Sequence, residues 1–363
     1  MTKSPLGDLL AGVTKKVFSP LDFIGKGSLT ERVLAFALGE EPPSGVAGCT
    51  QENWRGLAAA LSNVQVDKVR VVVLGGGTGL SNVIGGDSRR AEWKETPFTG
   101  LKEVFPHLHS IVCVTDDGGS TGEMLKDFPL IGLGDLRHVL LSSIRSVNLK
   151  KSYQLDDDGA VQTAVALHSF FNFRFNKPLE SAEQLWKASR VTPEMFPQTL
   201  ADYLVALVNR LFTDKRMATA LHRPQCLGNL LLAAAVYGKL PAFFRTAELA
   251  ANQKRMQAAI MDGLADLSMA VGAGPQAVLP CTATLSQLQM LYVNGVLVTG
   301  ESKADTARRG YPVERAMVRF VDDPLLPDPV SKCIAEADII ILAPGSLYSS
   351  IIPILQVPGL AEV

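Results

Sequence analysis

The chain has 363 residues, 47% of them hydrophobic and 20% charged, with a formal net charge of −1 at pH 7. That length supports one large core or two, and the near-zero charge excludes a broad nucleic-acid surface, so any phosphate site has to be local. No stretch approaches the ~20 apolar residues of a membrane span and no apolar signal segment follows Met1-Thr2-Lys3-Ser4-Pro5, so no membrane association and a cytoplasmic location are expected.

Residues 1 to about 65 show helical spacing over Leu9–Phe18, Ser28–Leu38 and Glu52–Leu61, with Ser28 and Glu31 as a capping box and Glu40–Gly45 as a linker. This segment reads as an N-terminal helical extension, a clamp or a homodimerisation arm. The β-branched run Val69–Leu74 predicts the first sheet strand, and Gly75-Gly76-Gly77-Thr78-Gly79-Leu80-Ser81 then turns it into a helix. Such a βα corner presents free backbone N–H groups to an anion, above all a phosphate. Tight strand–helix packing would also explain the glycines, but the Thr78 and Ser81 hydroxyls tilt the reading toward phosphate. The dinucleotide pattern Gly-x-Gly-x-x-Gly fails at Leu80, and no Walker lysine follows.

A short helix is expected over Thr99–Phe105 and a second strand over His109–Thr115. That strand ends in Thr115-Asp116-Asp117-Gly118-Gly119-Ser120-Thr121-Gly122, where adjacent carboxylates repel and a hard cation such as Mg²⁺ would relieve them. An ordinary Asx turn is the alternative. Asp135, in Gly134-Asp135-Leu136-Arg137-His138, stands at a helix start as a cap or a ligand, and Arg137 could grip a phosphate in bidentate fashion. Leu136–Val147 reads as one helix, and a helical middle follows with Ala160–Phe171, Ala182–Ser189, Met195–Phe212, Leu227–Tyr237 and Arg245–Met261. Thr192-Pro193 reads as a cap and first helical residue. Gly228-Asn229 opens the helix at Leu227, where Asn229 is either a cap or a hydrogen-bonding group for a ligand.

Further strands are expected at Ala277–Cys281, Gln287–Val293 and Ala316–Val321, with a hairpin turn at Asn294-Gly295. Pro329–Ala337 is a helix leading to a last strand at Ala337–Leu342, which runs into the small-residue corner Ala343-Pro344-Gly345-Ser346. The stripe Phe170, Phe171, Phe173 and Phe175 reads as core, and the five scattered cysteines read as buried thiols rather than a disulfide frame or zinc site. The order of elements is α/β with a mostly parallel sheet and an inserted helical subdomain.

Five motifs then stand in order: Gly-Gly-Gly-Thr-Gly-Leu-Ser at 75–81, Thr-Asp-Asp-Gly-Gly-Ser-Thr-Gly at 115–122, Gly-Asp-Leu-Arg at 134–137, Leu-Gly-Asn-Leu at 227–230 and Ala-Pro-Gly-Ser-Leu-Tyr-Ser-Ser-Ile-Ile-Pro at 343–353. On these the chain resembles the 2-phospho-L-lactate transferase (CofD-like) superfamily, and within it the gluconeogenesis-factor branch. The resemblance implies a Rossmann-like three-layer sandwich over residues 66–363, with the helical insertion at about 150–262 and residues 1–65 outside it. Transferase members move a phospholactyl or phosphoenolpyruvyl group from a guanosine diphosphate carrier to a deazaflavin with Mg²⁺. The other branch is linked to carbon metabolism and cell shape and to nucleotide sugars such as UDP-N-acetylglucosamine.

Carried onto this sequence, the resemblance assigns nucleotide contacts to Gly75, Gly76, Gly77, Thr78, Gly79, Leu80, Asp116, Gly118, Gly119, Ser120, Arg137, Gly228, Asn229, Gly345, Ser346 and Ser350. It assigns catalysis and Mg²⁺ to Asp117 and Asp135, and no organic cofactor is expected. The chain departs from the pattern in four places: Gly-Leu-Lys is displaced to 100–102, Glu123-Met124 replaces a basic residue, His138 replaces an asparagine and Gln225 a histidine. Relatives are expected to continue past the position of Val363. A nucleotide-sugar-binding regulator is therefore the first expectation, a Mg²⁺-dependent transferase the second, and a dinucleotide oxidoreductase is disfavoured by Leu80.

Overall fold

The computed structural model describes residues 66–250, 252–306 and 310–363, with positions 52, 55, 56 and 59. Apart from those four positions, the helices expected before residue 66, the Ser28–Glu31 box and Cys49 lie outside the described residues. Contacts divide the chain into two units, Met1–Val66 and Asp67–Val363, and the second holds every element named below.

Strand β1 (Arg70–Gly75) leads into helix α1 (Gly77–Gly85), and a 3-10 turn at Ala91–Lys94 and the single turn α2 (Leu101–Val104) lead to β2 (His107–Val112). Helices α3 (Gly119–Leu125) and α4 (Gly134–Ser142) follow the acidic loop. The helical middle comprises α5 (Ser146–Tyr153), α6 (Asp157–Phe171), α7 (Ala182–Ser189), α8 (Gln198–Thr213), α9 (Leu227–Tyr237), α10 (Thr246–Ala250) and α11 (Gln253–Ala270). A two-residue antiparallel ribbon, β3 (Arg174–Phe175) with β4 (Gln225–Cys226), fastens the entry of α9 to the end of α6. Strand β5 (Val278–Pro280) returns to the main sheet, and β6 (Ser286–Tyr292), β7 (Leu297–Thr299), α12 (Glu301–Thr306) and β8 (Val313–Phe320) form a separate antiparallel layer. Helix α13 (Asp328–Ala335) leads to β9 (Ile339–Leu342), and a π turn at Leu347–Ile351 runs into α14 (Ile352–Leu355).

The main sheet has the order β5-β2-β1-β9, and all its pairings are parallel. Val71, Val72 and Val73 are all fully buried. Successive strand residues point to opposite faces, so β1 is covered on both sides, as a central parallel strand requires. The architecture is the α/β sandwich expected, with the phenylalanine stripe in its core and four described cysteines buried and free. The Asn294-Gly295 turn closes β6 on β7, with Gly295 at φ +81° and Tyr292 N–H donating to Val296 O at 2.9 Å.

Local geometry redraws several boundaries. Leu136–Val147 is not one helix: the Ser143 hydroxyl bonds back to Val139 O at 2.7 Å, Arg145 is extended, and its N–H turns to Gly272 O at 3.1 Å. Thr192-Pro193 opens only a 3-10 turn, because Phe196 before Pro197 is extended and α8 starts after that proline. The expected Arg245–Met261 helix breaks at Asn252, whose side chain caps a new helix by accepting from Arg255 N–H at 3.2 Å. The second strand starts two residues earlier than expected, since Arg70 pairs with His107. The Thr99–Phe105 helix shrinks to one turn behind Gly100, whose φ of +85° is closed to other residues and whose Cβ would stand 2.5 Å from Ile84 O.

Candidate functional site

The carboxyl ends of β1, β2 and β9 are tied together: Ala343 N–H donates to Leu74 O at 2.8 Å, and Cys113 N–H to Gly75 O at 2.9 Å. The loops that leave these strands therefore start side by side. They meet at Gly76, where a Cβ would lie 2.6 Å from Asp135 Oδ2, 3.2 Å from Ser350 Oγ and 3.4 Å from Cys113 Cβ. Three of the sequence motifs thus converge on one backbone atom. Gly79 is just as constrained, because a Cβ there would fall 1.7 Å from Pro344 O. Gly75 packs so closely against Ala343 that a Cβ there would lie only 2.9 Å from the alanine Cβ. Thr78 is exposed at the first turn of α1, Leu80 is buried in the core, and the Ser81 hydroxyl turns back to Thr78 O at 3.0 Å.

Asp135 sits in the first turn of α4, after Leu133 and Gly134, so it does not cap its own helix. It accepts instead from Gly77 N–H, and so caps α1. Burial first, then the charges of Asp116 and Glu301, push its carboxyl up to about 7, against the opposing Gly77 N–H and Arg137. Asp116 is an Asx turn, with Oδ1 taking Gly118 N–H at 2.9 Å and Oδ2 the Thr121 hydroxyl at 2.7 Å. Asp117 Oδ1 accepts from Ser302 N–H at 2.9 Å, which draws the acidic loop to the start of α12. Gly119 has open space around it, with φ +48°.

Among the described residues no group of three or more His, Cys, Asp or Glu is placed to hold a metal ion. The chemistry of the donors still suits Mg²⁺ arriving with a phosphate, which needs one or two carboxylates beside phosphate oxygens. Asp135 is the carboxyl with the strongest reason to accept such a cation, Asp116 and Glu301 being its acidic neighbours.

Behind the acids lies a buried polar network. Ser120 Oγ donates to Gln225 Oε1 at 2.9 Å and accepts from Cys226 N–H at 2.7 Å and from Asn229 Nδ2 at 3.3 Å. Asn229 is therefore not a cap; that place belongs to Cys226. Gly228 admits the arginine, since a Cβ there would be 2.6 Å from Arg137 Cδ. Arg137 is 2% exposed and touches Cys226 Sγ and His138 Nε2. Its Nε is buried without a partner, as are Gln225 Nε2 and Asn229 Oδ1. Arg137 makes no ion pair among the described residues, and burial draws its guanidinium below the ordinary value. His138 and His168 line an adjoining cavity of about 180 Å³ with Ser81, Ser142 and Asn172. Burial, then the Arg137 charge, hold His138 down to about 3 and His168 to about 4, so both are neutral.

At the last corner Gly345 and Ser346 are exposed, and Ser346 Oγ caps the π turn by accepting Ser349 N–H at 3.1 Å. Ser349 O in turn receives the Cys113 thiol at 3.4 Å and the Thr115 hydroxyl at 3.5 Å, so the last corner is bound to the end of β2. Sequence reasoning missed Glu301. The signal was present: Gly300-Glu301-Ser302 follows a strand and opens a helix, with Gly300 at φ +101° and a Cβ there 2.5 Å from Asp117 Oδ2.

A parallel sheet with its polar residues gathered at the strand ends defines a Rossmann-like α/β protein. Residues 71–363 match the family model of 2-phospho-L-lactate transferase CofD, and the chain belongs to that family. It is 26% identical over 295 residues to the gluconeogenesis factor of Halalkalibacterium halodurans, covering 81% of this chain and 62% of that one. Against the Bacillus subtilis gluconeogenesis factor it is 24% identical over 297 residues, covering 81% and 63%. The chain thus spans less than two thirds of the length of these relatives. A crystal structure of a UPF0052-family protein from Bacillus halodurans is similar, with a TM-score of 0.47 and 23% identity over 81% of this chain and 65% of that one. No helix among the described residues is long and apolar enough to cross a membrane.

Proposed function

We propose that this chain is a cytoplasmic regulatory protein of the gluconeogenesis-factor type that binds a nucleotide or nucleotide sugar, with the diphosphate held between the Gly76–Gly79 loop and Arg137. One observation carries this reading. Arg137 is a buried guanidinium with an unpartnered Nε and no ion pair among the described residues, two positions along α4 from Asp135, which stands against Gly76. A buried charge without a partner is costly, and the planar guanidinium fork is matched to phosphate oxygens. Exposed Thr78, Gly345 and Ser346 supply the outer wall.

The test is UDP-N-acetylglucosamine added to the full chain, with stability followed by denaturation and heat-released ligand identified by mass spectrometry. A hundredfold excess over Kd stabilises by about 2.7 kcal/mol, and Thr78→Val and Arg137→Met each weaken that gain. Equal affinity for every nucleotide in wild type and both variants sinks the assignment.

A second reading, Mg²⁺-dependent transfer from a GDP-linked donor, is favoured by the crowding of Asp135 with Asp116 and Glu301, which a cation would relieve. It requires Mg²⁺ to tighten GDP binding and Asp117→Asn or Asp135→Asn to abolish the gain; GDP affinity indifferent to Mg²⁺ removes it.

A further inference from the structure

The opposite edge of the parallel sheet carries a second polar pocket. It opens where β2 begins, among Lys102, His107, His109, Arg145 and Asn148, and measures about 220 Å³. Because β1 and β2 are parallel and six residues long, this edge lies about 20 Å from the glycine loops. None of the residues assigned above to a nucleotide belongs to it.

Its distinguishing feature is buried positive charge without an acid. Lys102 is 2% exposed, yet its ammonium has one hydrogen-bond partner, Pro97 O at 3.1 Å, besides the face of Phe98 at 5.8 Å. An ammonium has three donors to place. Arg145 gives one donor to Pro106 O at 3.0 Å and keeps a buried Nε with no partner. Neither residue makes an ion pair among the described residues, and no Asp or Glu lines the pocket. Burial holds Lys102 down to about 8, with Glu103 opposing and Arg145 adding to the fall, so the group is still largely charged at neutral pH.

Three further features point the same way. Helix α5 begins at the pocket with Arg145 as its cap, and among the described residues no side chain caps its first turn. His109 Nδ1 lies 2.9 Å from Gln276 O, a pure acceptor, so the proton sits on Nδ1 and Nε2 is left for another contact. Gly100, which no other residue replaces at φ +85°, fixes the turn that carries Lys102 inward. A lysine placed only to fill space would be better served by an apolar residue of its volume.

We infer that this pocket binds a small phosphate-class oxyanion, free or as the head of a small phosphomonoester, held by Lys102, Arg145 and the open first turn of α5. Its volume is below the roughly 300 Å³ at which pockets for drug-sized ligands begin, which suits a ligand smaller than a nucleotide. The ligand's charge replaces the missing carboxylate.

The experiment follows the histidine imidazole resonances of the full chain while inorganic phosphate, and in a second series glycerol phosphate, is added at constant ionic strength. His107 and His109 move saturably, while His222, exposed and outside the pocket, stays as the reference. The midpoint rises at least tenfold in Arg145→Gln and in Lys102→Met, and it is unchanged in Lys150→Gln, which alters the exposed pair with Asp157. Thr78→Val leaves it unchanged too, which separates this site from the nucleotide reading. The series with the lower midpoint identifies the source of the phosphate. If Lys102→Met does not fold, Arg145→Gln alone decides. No saturable movement with either probe, or equal midpoints in wild type and Arg145→Gln, overturns the inference.

Discussion

Asp135 makes the acid side of the site measurable without knowing any ligand. Burial first, then the charges of Asp116 and Glu301, lift its carboxyl from 3.8 to about 7. In the unfolded chain the proton leaves near the ordinary carboxylate value; in the folded chain it stays to near neutrality. Across that window the native state binds the extra proton, so stability falls as pH rises and is flat above about 7. Roughly three pH units at about 1.36 kcal/mol each amount to about 4 kcal/mol, of which about 3 lies between pH 5 and 8. Asp135→Asn keeps an oxygen for Gly77 N–H and has no proton to lose. Urea denaturation of wild type and variant at pH 5, 6, 7 and 8 cancels every other titration in the difference. That difference shifts in favour of the asparagine variant by about 3 kcal/mol over the range. Parallel curves, or a shift of opposite sign, would refute the placement of Asp135 against Asp116 and Glu301.

Three other outcomes rest on the same geometry. Gly79→Ala drives a Cβ into Pro344 O and costs about 3 kcal/mol or more by denaturation, whereas Gly119→Ala, with open space and only a positive φ to accommodate, costs about 1 kcal/mol. Arg137→Met removes a buried guanidinium that makes no ion pair among the described residues, so ligand-free stability by thermal unfolding is equal to or above wild type even though nucleotide binding falls. Ser120→Ala leaves Gln225 Oε1 and Cys226 N–H without their partner and lowers stability by about 2 kcal/mol, while Ser169→Ala, an exposed hydroxyl on α6, changes it by less than about 0.5 kcal/mol.

Local chemistry was legible in the sequence wherever one residue type dictates the backbone. The Val71–Val73 run, the Asn294-Gly295 turn, and the helices Ala182–Ser189 and Leu227–Tyr237 are where pattern placed them. What pattern could not supply is which strands are neighbours. The order β5-β2-β1-β9 joins strands separated by the whole helical middle, and it is this order that puts Ser350 and Asp135 around Gly76. The broken helices at Ser143 and Asn252 have the same origin: a side chain or a distant carbonyl satisfied the backbone better than the next helical turn did. Ser120 illustrates a different limit. Its glycine-rich neighbourhood suggests a ligand-facing hydroxyl, yet burial turns it inward to hold Gln225, Cys226 and Asn229. The turn at Gly300-Glu301 carried a local signal, but its place beside Asp135 did not, because the antiparallel layer brings Glu301 there from far along the chain.

The start of α1 is where the physical argument tightens. An open helix N-terminus attracts an anion, and here an anion-forming group already stands in it: Asp135, taking the Gly77 N–H. A phosphate cannot approach the same N–H groups while an ionised carboxylate holds them, since the two would repel. The raised pKa resolves the conflict, because a carboxyl that titrates near 7 can hold its proton when the second anion arrives, and can then donate a hydrogen bond to it. A divalent cation resolves it in the other direction, by bridging an ionised Asp135 to the phosphate. Both routes need the acid to be adjustable, and the crowding by Asp116 and Glu301 is what makes it so. A lone aspartate in this position, capping a helix and fully ionised, would close the loop to any phosphate; the surplus of acids around it is therefore compatible with an anion site and not an argument against one.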